Sequence, residues 1–254
     1  MRTVAIVLAA GRGSRMGGNV KKQYLDLNGQ PILWHSLSAF EKSDADEIIL
    51  VCSEEDIDEV RRTYMGQFSK LTRVVSGGRE RYHSVYAGLC AIGQSAPDGD
   101  TEPCPNAEGS GDSLAPCDIV MIHDGARPFV DRDMIARCLE ALKTEKACVA
   151  AMPSKDTVKI ADADGYASST PDRSSVWIVQ TPQCFRYDTV KAAYDRLIED
   201  EAQGRLGGVN VTDDAMVVEM YTDAKVKMVE GSYNNIKITT PEDMLIAEVF
   251  MPRG

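Results

Sequence analysis

A glycine-rich segment near the start of the chain carries four basic side chains and no acid. Between Gly11 and Lys22 stand Arg12, Arg15 and Lys21, in a protein whose formal net charge is −11. Glycines let backbone N–H groups approach a phosphate closely, and like charges held in one loop repel unless an anion binds among them. The segment therefore predicts a diphosphate or triphosphate site, and a solvated basic loop is the alternative.

Two familiar phosphate-binding patterns do not fit this loop. A dinucleotide fingerprint requires a third glycine where Met16 stands, and no Gly-Lys-Ser/Thr follows at the spacing of a P-loop. An ordinary strand-to-helix turn remains the alternative for the glycines by themselves.

Alternating apolar and amphipathic stretches surround the loop. Buried strands are predicted at residues 4–8, 48–52, 119–122 and 148–152, and helices at 31–41, 54–64 and 81–92. This alternation predicts an α/β fold with a doubly wound, mostly parallel, Rossmann-like sheet. Ligands of such sheets bind beyond the carboxyl ends of the strands, here in the loops after Leu8, Cys52 and Ile122.

We expect residues 1–254 to form a single domain with two irregular segments. Residues 93–118 hold four Gly, four Pro and six acids without Lys or Arg, which predicts a flexible insertion; a partner-binding tail is the alternative. Residues 157–180 predict a projecting β-arm, with extended stretches at 157–160 and 176–180 around a polar turn. Such an arm needs a surface to pack on, which predicts a homodimer. Thr240-Pro241-Glu242-Asp243 predicts the start of the last helix.

The composition excludes several classes of protein. An acidic chain with 43% hydrophobic residues is not expected to coat nucleic acid or an anionic membrane. It contains no apolar run of the ~20 residues that a membrane span needs and no signal-peptide pattern. The seven cysteines are scattered without a CxxC pair, which is typical of free thiols in a reducing compartment. The sequence thus predicts a cytoplasmic protein.

Several ordered motifs carry a resemblance to a known family. The stretch from Leu8 to Gly17, LAAGRGSRMG, followed by Lys22-Gln23-Tyr24, resembles nucleotidyltransferases that join a sugar or polyol phosphate to a nucleoside monophosphate. Further matching segments are GGRERYHSV at 77–85, HDGARP at 123–128, DTVK at 156–159, QTPQ at 180–183, VTDD at 211–214 and NIKIT at 235–239. Together they are similar to the 2-C-methyl-D-erythritol 4-phosphate cytidylyltransferases of the non-mevalonate isoprenoid pathway, from Val4 to Phe250.

That resemblance implies transfer of CMP from CTP to the polyol phosphate, with release of pyrophosphate. By the same resemblance, the catalytic residues are Arg15 and Lys22. The acceptor would be positioned by Arg173, Lys237, Thr157, Thr181, Thr212 and Arg127. The nucleotide would be bound by Ala9, Ala10, Gly11, Gly13, Gly78, Arg81, Ser84, Asp124 and Ala126. Near a position where the family often has an acid, this chain has Arg79.

Asp124 is the candidate metal ligand. It ends an apolar run, and a carboxylate beside a triphosphate is unfavourable unless a cation lies between them. Asp124 is therefore expected to support Mg²⁺, or another divalent cation, held chiefly by the nucleotide phosphates. Alternatively, Asp124 accepts a hydrogen bond from a substrate hydroxyl or pairs with Arg127. The neighbouring His123 is expected to be a packing residue.

Three other functions remain open at this stage. Ribitol-5-phosphate cytidylyltransferase shares the loop and the nucleotide chemistry but uses another acceptor. A sugar-1-phosphate nucleotidyltransferase would prefer another nucleotide. A nucleotide-binding regulator without catalysis is the alternative from a different class.

Overall fold

The predicted strands lie in one central sheet. The computed structural model describes residues 1–11, 21–93 and 117–251, and within these ranges the sheet has seven strands. Its strands are β1 (Thr3–Leu8), β4 (Glu47–Cys52), β5 (Leu71–Ser76), β6 (Ile119–Asp124), β7 (Ala147–Pro153), β10 (Trp177–Arg186) and β11 (Val226–Glu230). Two small hairpins pair β2 (Asp26–Leu27) with β3 (Gln30–Pro31), and β8 (Ile160–Ala161) with β9 (Ala167–Ser169).

Helices cover both faces of the sheet, as a doubly wound fold requires. They are α1 (Ile32–Glu41), α2 (Ile57–Tyr64), α3 (Arg81–Ala91), α4 (Arg132–Ala141), α5 (Tyr187–Ala202), α6 (Asp214–Tyr221) and α7 (Pro241–Phe250). One buried apolar cluster joins the sheet to α1, α2 and α4, and a second joins it to α3, α5 and α6. Continuously apolar strands fit this arrangement because both of their faces are buried.

The strand order is β11-β7-β10-β6-β1-β4-β5. β1 runs parallel to β4 and β6, so Leu8 lies beside Val51 and Asp124 at one edge of the sheet. β10 runs antiparallel between β6 and β7. The prediction of a mostly parallel sheet is confirmed, and this edge is where a ligand site is expected.

The strand boundaries around the predicted arm differ from expectation. Residues 177–180 begin β10 in the central sheet, where Trp177 pairs with Pro153. The hairpin of the projecting segment is instead β8 with β9, and Thr157 precedes it. Its turn is fixed locally: Gly165 has φ +86°, and the Asp162 side chain accepts hydrogen bonds from the N–H groups of residues 164 and 166. The hairpin therefore forms within the stretch that was expected to be a polar loop, because Asp162 and Gly165 stabilise a turn there.

Other predicted features meet the structure as follows. α7 begins with Thr240 as N-cap and Asp243 completing a capping box, as the sequence indicates. α3 ends at Ala91 and β6 begins at Ile119, on either side of the predicted insertion, of which residues 94–116 lie outside the described ranges. No helix among the residues described is long and apolar enough to cross a membrane.

Candidate active site

Two adjoining cavities open at the carboxyl edge of the sheet. The first has a volume of about 500 Å³ and the second about 360 Å³, and both are lined by Arg81, Asp124 and Lys237. Of the residues predicted for the site, the first cavity is also lined by Ala9, Ala10, Gly11, Lys22, Gly78, Ser84 and Ala126. The second is also lined by Arg127, Thr181 and Thr212. Most of the predicted site is therefore brought together by the fold.

Four predicted residues are not among these linings. Thr157 and Arg173 lie in the exposed segment between β7 and β10, and neither lines the two cavities. Arg15 and Gly13 fall outside the described residues.

Backbone groups form one wall of the first cavity. The N–H of Ala9 donates to Val51 O at 2.6 Å, which fixes the chain as it leaves β1. The buried amide of Gln23 donates to Ala9 O at 2.6 Å and to Gly11 O at 3.3 Å. Gln23 thus holds the start of the glycine-rich loop, a role that its position in the Lys-Gln-Tyr motif did not reveal.

Exchanging Gln23 for Glu is expected to raise KM for CTP by about tenfold, because a carboxylate cannot donate to two carbonyl oxygens. Steady-state kinetics with varied CTP measures this. Gln30→Glu is the matched control, since Gln30 is exposed on β3 and lines neither cavity. Equal KM values for the two variants would contradict the role of Gln23.

A second wall comes from the loop between β5 and α3. A Cβ on Gly77 would lie 2.6 Å from Ala10 Cβ and 2.6 Å from Ser84 Oγ, so glycine permits the two loops to approach. The N–H of Gly77 donates to Cys52 O at 2.7 Å, and that of Gly78 to Ser84 Oγ at 3.2 Å. Ser84 therefore contributes to the site by fixing the backbone of Gly78.

The two adjacent lysines have different surroundings. Lys21 Nζ lies 2.5 Å from Glu55 Oε1 and 2.8 Å from Asp56 Oδ2, and it donates to Ser53 Oγ at 2.6 Å. Partial burial would lower the pKa of Lys21, but its hydrogen bonds to the two acids raise it. Lys22 instead lines the first cavity. Lys21 is thus neutralised by acids that follow β4, and of the two lysines only Lys22 lines the first cavity.

Asp124 stands where the two cavities meet. Its Oδ2 lies 2.8 Å from Lys237 Nζ and 3.7 Å from Arg127 Nε, and its Oδ1 lies 3.5 Å from Arg81 Nε. Burial would raise the pKa of Asp124, but these three cations outweigh it and hold the pKa well below the ordinary value. The predicted alternative, pairing with Arg127, is present as one part of a larger cationic cluster.

A buried network holds the backbone of Asp124. Its N–H donates to Thr181 Oγ1 at 3.0 Å. His123 Nε2 lies 3.1 Å from Arg127 O, and because a carbonyl oxygen can only accept, Nε2 carries the proton. In the neutral ring Nδ1 is then the acceptor, and the Thr181 hydroxyl donates to it at 3.0 Å. Burial lowers the pKa of His123 to about 4, which keeps the imidazole neutral near pH 7. The prediction that His123 is a packing residue fits this hydrogen-bonded position in the core.

Lys237 and Arg127 are positioned by the segment that precedes α7. The Asn235 side chain donates to Thr181 O at 2.9 Å, and Arg127 Nη1 donates to Asn235 O at 2.8 Å. Ile238 N donates to Ala126 O at 2.9 Å. These bonds dock the segment on the loop after β6, so that Lys237 reaches Asp124.

Asp214 is a site residue that the sequence reasoning missed, although it belongs to the quoted VTDD motif. It is fully buried at the first position of α6. Its two carboxylate oxygens accept from Arg81 Nη1 at 2.7 Å and Nη2 at 2.8 Å. Arg81 therefore links one buried acid to the shared wall of the two cavities.

The fold also assembles three thiols that the sequence spacing did not connect. Cys138 on α4, Cys148 on β7 and Cys184 on β10 are fully buried, with their Sγ atoms within 4.8 Å of one another. Elsewhere in the described ranges, no other group of three His, Cys, Asp or Glu side chains meets this geometry. The trio lies in the apolar core and lines neither cavity.

A cationic double cavity at the carboxyl edge of a doubly wound sheet is the arrangement expected of an α/β nucleotidyltransferase. Its walls present backbone groups and cations, which suit positioning and charge stabilisation of phosphates.

Comparison with known proteins places the chain within this class. The family model described as 2-C-methyl-D-erythritol 4-phosphate cytidylyltransferase matches residues 3–98 and 112–253. The chain belongs to that family. The unmatched residues 99–111 fall within the predicted insertion.

Individual relatives agree in name and coverage. The enzyme of that name from Lachnospira eligens is 49% identical over 249 residues, which is 97% of this chain and 98% of the relative. The one from Lachnoclostridium phytofermentans is 41% identical over 252 residues, covering 98% and 96%. The crystal structure of 4-diphosphocytidyl-2C-methyl-D-erythritol synthase from Anaerococcus prevotii superposes with a TM-score of 0.79 at 31% identity, covering 98% of this chain and 95% of the other. The Francisella tularensis cytidylyltransferase gives 0.71 at 29% identity, covering 98% and 99%.

Proposed function

We propose that this protein transfers CMP from CTP to 2-C-methyl-D-erythritol 4-phosphate and releases pyrophosphate. The observation that carries the proposal is the match to one cytidylyltransferase family along nearly the whole chain, over ranges that include the residues lining the cationic double cavity.

The reaction joins two phosphate-bearing molecules, which suits two cavities with a common wall. A phosphate oxygen of the acceptor attacks the α-phosphorus of CTP; the bond from that phosphorus to the bridging oxygen breaks, and pyrophosphate leaves. We assign CTP to the first cavity, where Lys22 faces the phosphates and backbone groups near Ala9 and Gly78 read the base. We assign the acceptor to the second, where Arg127 and Lys237 hold its phosphate. Catalysis then rests on alignment and on neutralising charge.

Mg²⁺, or another divalent cation, is the proposed cofactor. A Mg²⁺ ion suits one or two carboxylates together with substrate phosphates, and Asp124 offers a carboxylate at the junction of the cavities. Three cations already surround that carboxylate. A single carboxylate therefore fits an ion carried mainly by the nucleotide phosphates, for which Asp124 would be the protein ligand. When bound, the ion would neutralise charge on the triphosphate.

The proposed active form is a cytoplasmic homodimer. Arg173 and Thr157 lie on the exposed segment between β7 and β10 and line neither cavity of their own chain. Delivery of both side chains to the partner's acceptor site would give them the role that the resemblance assigns.

A mixing experiment tests this sharing. Arg173→Ala and Lys237→Ala chains are each expected to be nearly inactive. Re-associated in equal amounts, they are expected to regain about a quarter of the wild-type rate, because about half of the dimers are mixed and each mixed dimer has one sound site. Pyrophosphate release measures the rate, and mixing each variant with itself is the control. If a mixture that is shown to contain mixed dimers regains no activity, the proposal that the two chains share each active site is contradicted.

The acceptor distinguishes the proposal from its nearest rival. The value of kcat/KM is expected to be at least about a hundredfold higher for methylerythritol phosphate than for ribitol 5-phosphate, because unpaired polar groups in a site built for one polyol penalise the other. The reverse preference would assign the ribitol enzyme, and preference for UTP would indicate a sugar-1-phosphate nucleotidyltransferase. Binding of CTP without turnover of any acceptor would indicate a regulator.

A further inference from the structure

We infer that Asp214, held by Tyr194, is the positioning residue that presents Arg81 to the phosphates of the bound nucleotide. The inference rests on the proposed function, since it concerns how the same site binds CTP. Neither the sequence nor the family resemblance assigned a role to Asp214 or Tyr194.

The geometry of Arg81 is set by the contacts of its terminal nitrogens. Both Nη atoms donate to Asp214, at 2.7 and 2.8 Å, in a bidentate pair that fixes the plane of the guanidinium. The Nε edge lies 3.5 Å from Asp124, at the wall shared by the two cavities. A guanidinium has five N–H donors, so three are left beyond the two that bind Asp214, and Arg81 lines both cavities.

Asp214 is itself rigidly held. The Tyr194 hydroxyl, fully buried on α5, donates to Asp214 Oδ1 at 2.5 Å. The Asp214 N–H donates to Gln183 Oε1 at 3.0 Å, and the carboxylate lies in the first turn of α6, where a helix favours negative charge. Tyr194 therefore holds the carboxylate of Asp214 and Gln183 holds its backbone, and the charged partner of that carboxylate is Arg81.

Asp214 and Asp124 compete for the guanidinium of Arg81. Among the described residues, Asp124 is the second carboxylate that pairs with Arg81, and it also attracts Lys237 and Arg127. Without Asp214, the guanidinium would turn toward Asp124 and occupy the carboxylate at which the substrate phosphates and their cation meet. Asp214 holds the guanidinium to one side of that junction, so that the Asp124 carboxylate stays accessible to the substrate.

A double-mutant cycle on CTP affinity tests the inference. Asp214→Asn is expected to raise both Kd and KM for CTP by about tenfold to about a hundredfold, with a smaller change in kcat. Arg81→Lys cannot form the bidentate pair and is expected to weaken CTP binding similarly. When Arg81 is already lysine, adding Asp214→Asn should change the Kd for CTP little further, because no guanidinium is left for Asp214 to position. Effects that multiply in the double variant would overturn the inference.

Tyr194→Phe provides a milder variant in case Asp214→Asn folds poorly. Loss of one hydrogen bond to Asp214 is expected to raise Kd for CTP by about threefold to about tenfold. Tyr64→Phe is the matched control, because Tyr64 is buried on α2 and lines neither cavity. A Tyr194→Phe protein with unchanged Kd would count against the inference.

Failure of the inference and failure of the proposed function give different results. Wild-type protein that binds CTP but transfers no CMP would contradict the function, while the cycle in Kd would still test the positioning of Arg81. Wild-type protein that binds no CTP would overturn both.

Discussion

Replacing Lys22 by alanine is expected to lower kcat by about 10²–10³ while the protein remains folded. Lys22 lines the first cavity directly after the glycine-rich loop, and a cation there opposes the charge that develops as pyrophosphate departs. Arginine at this position should restore only part of the rate, because a planar fork does not reproduce a compact ammonium. Single-turnover kinetics with saturating CTP separates this loss of rate from a loss of binding.

The adjacent lysine provides the control. Lys21→Ala removes the same charge one residue away, but Lys21 is bound to Glu55, Asp56 and Ser53 and does not line the cavity. Its kcat is expected to stay within about threefold of the wild-type value. Equal losses in the two variants would show that the segment acts through its overall charge and would contradict a specific role for Lys22.

Replacing Asp124 by asparagine is expected to destabilise the protein by about 3–5 kcal/mol, because Lys237, Arg127 and Arg81 then lack the carboxylate between them. Activity is expected to fall as well, since the two substrate cavities meet at this residue. Urea unfolding at pH 7 measures the stability. Asp223→Asn is the control for the same substitution at an exposed position, and a loss of stability no greater than in that variant would contradict the role of Asp124.

The difference in stability between the wild type and Asp124→Asn depends on pH, and the sign of that dependence is defined. The pKa of Asp124 is depressed in the folded protein, so its contribution is fully present above the unfolded pKa of about 3.9 and is lost as pH falls through the folded value. The gap in stability between wild type and Asp124→Asn should therefore be constant from pH 7 to about pH 5 and shrink only in stronger acid. A gap that closes near pH 6 would assign the effect to another group.

The layout of the sheet could be predicted because its strands are continuously apolar. Residues 4–8 and 48–52 have no polar face to expose, which requires helices on both sides, and the structure places them there. β10 was harder to predict because the buried polar residues Gln180, Thr181 and Gln183 interrupt its apolar run. Its first residues, 177–180, looked like part of the projecting arm.

The motifs were sufficient to predict which residues line the site. They were not sufficient to predict which residues from distant segments those residues contact. Lys237 and Asp124 were both expected, although their 2.8 Å contact depends on Asn235 docking the segment before α7. The pairing of Lys21 with Asp56 could not be predicted from a count of charges, because it depends on where the chain turns after β4. The role of Asp214 likewise appears only when the fold brings the start of α6 to Arg81 at the start of α3.

Transfer of label from CTP tests the proposed reaction most directly. With CTP labelled at the α-phosphate and methylerythritol phosphate present, the label is expected in the polyol product. With CTP labelled at the γ-phosphate, it is expected in pyrophosphate, and neither transfer should occur without the acceptor. Appearance of the α-label in free CMP at the same rate with and without methylerythritol phosphate would contradict transfer at this site, as would retention of all label in bound CTP.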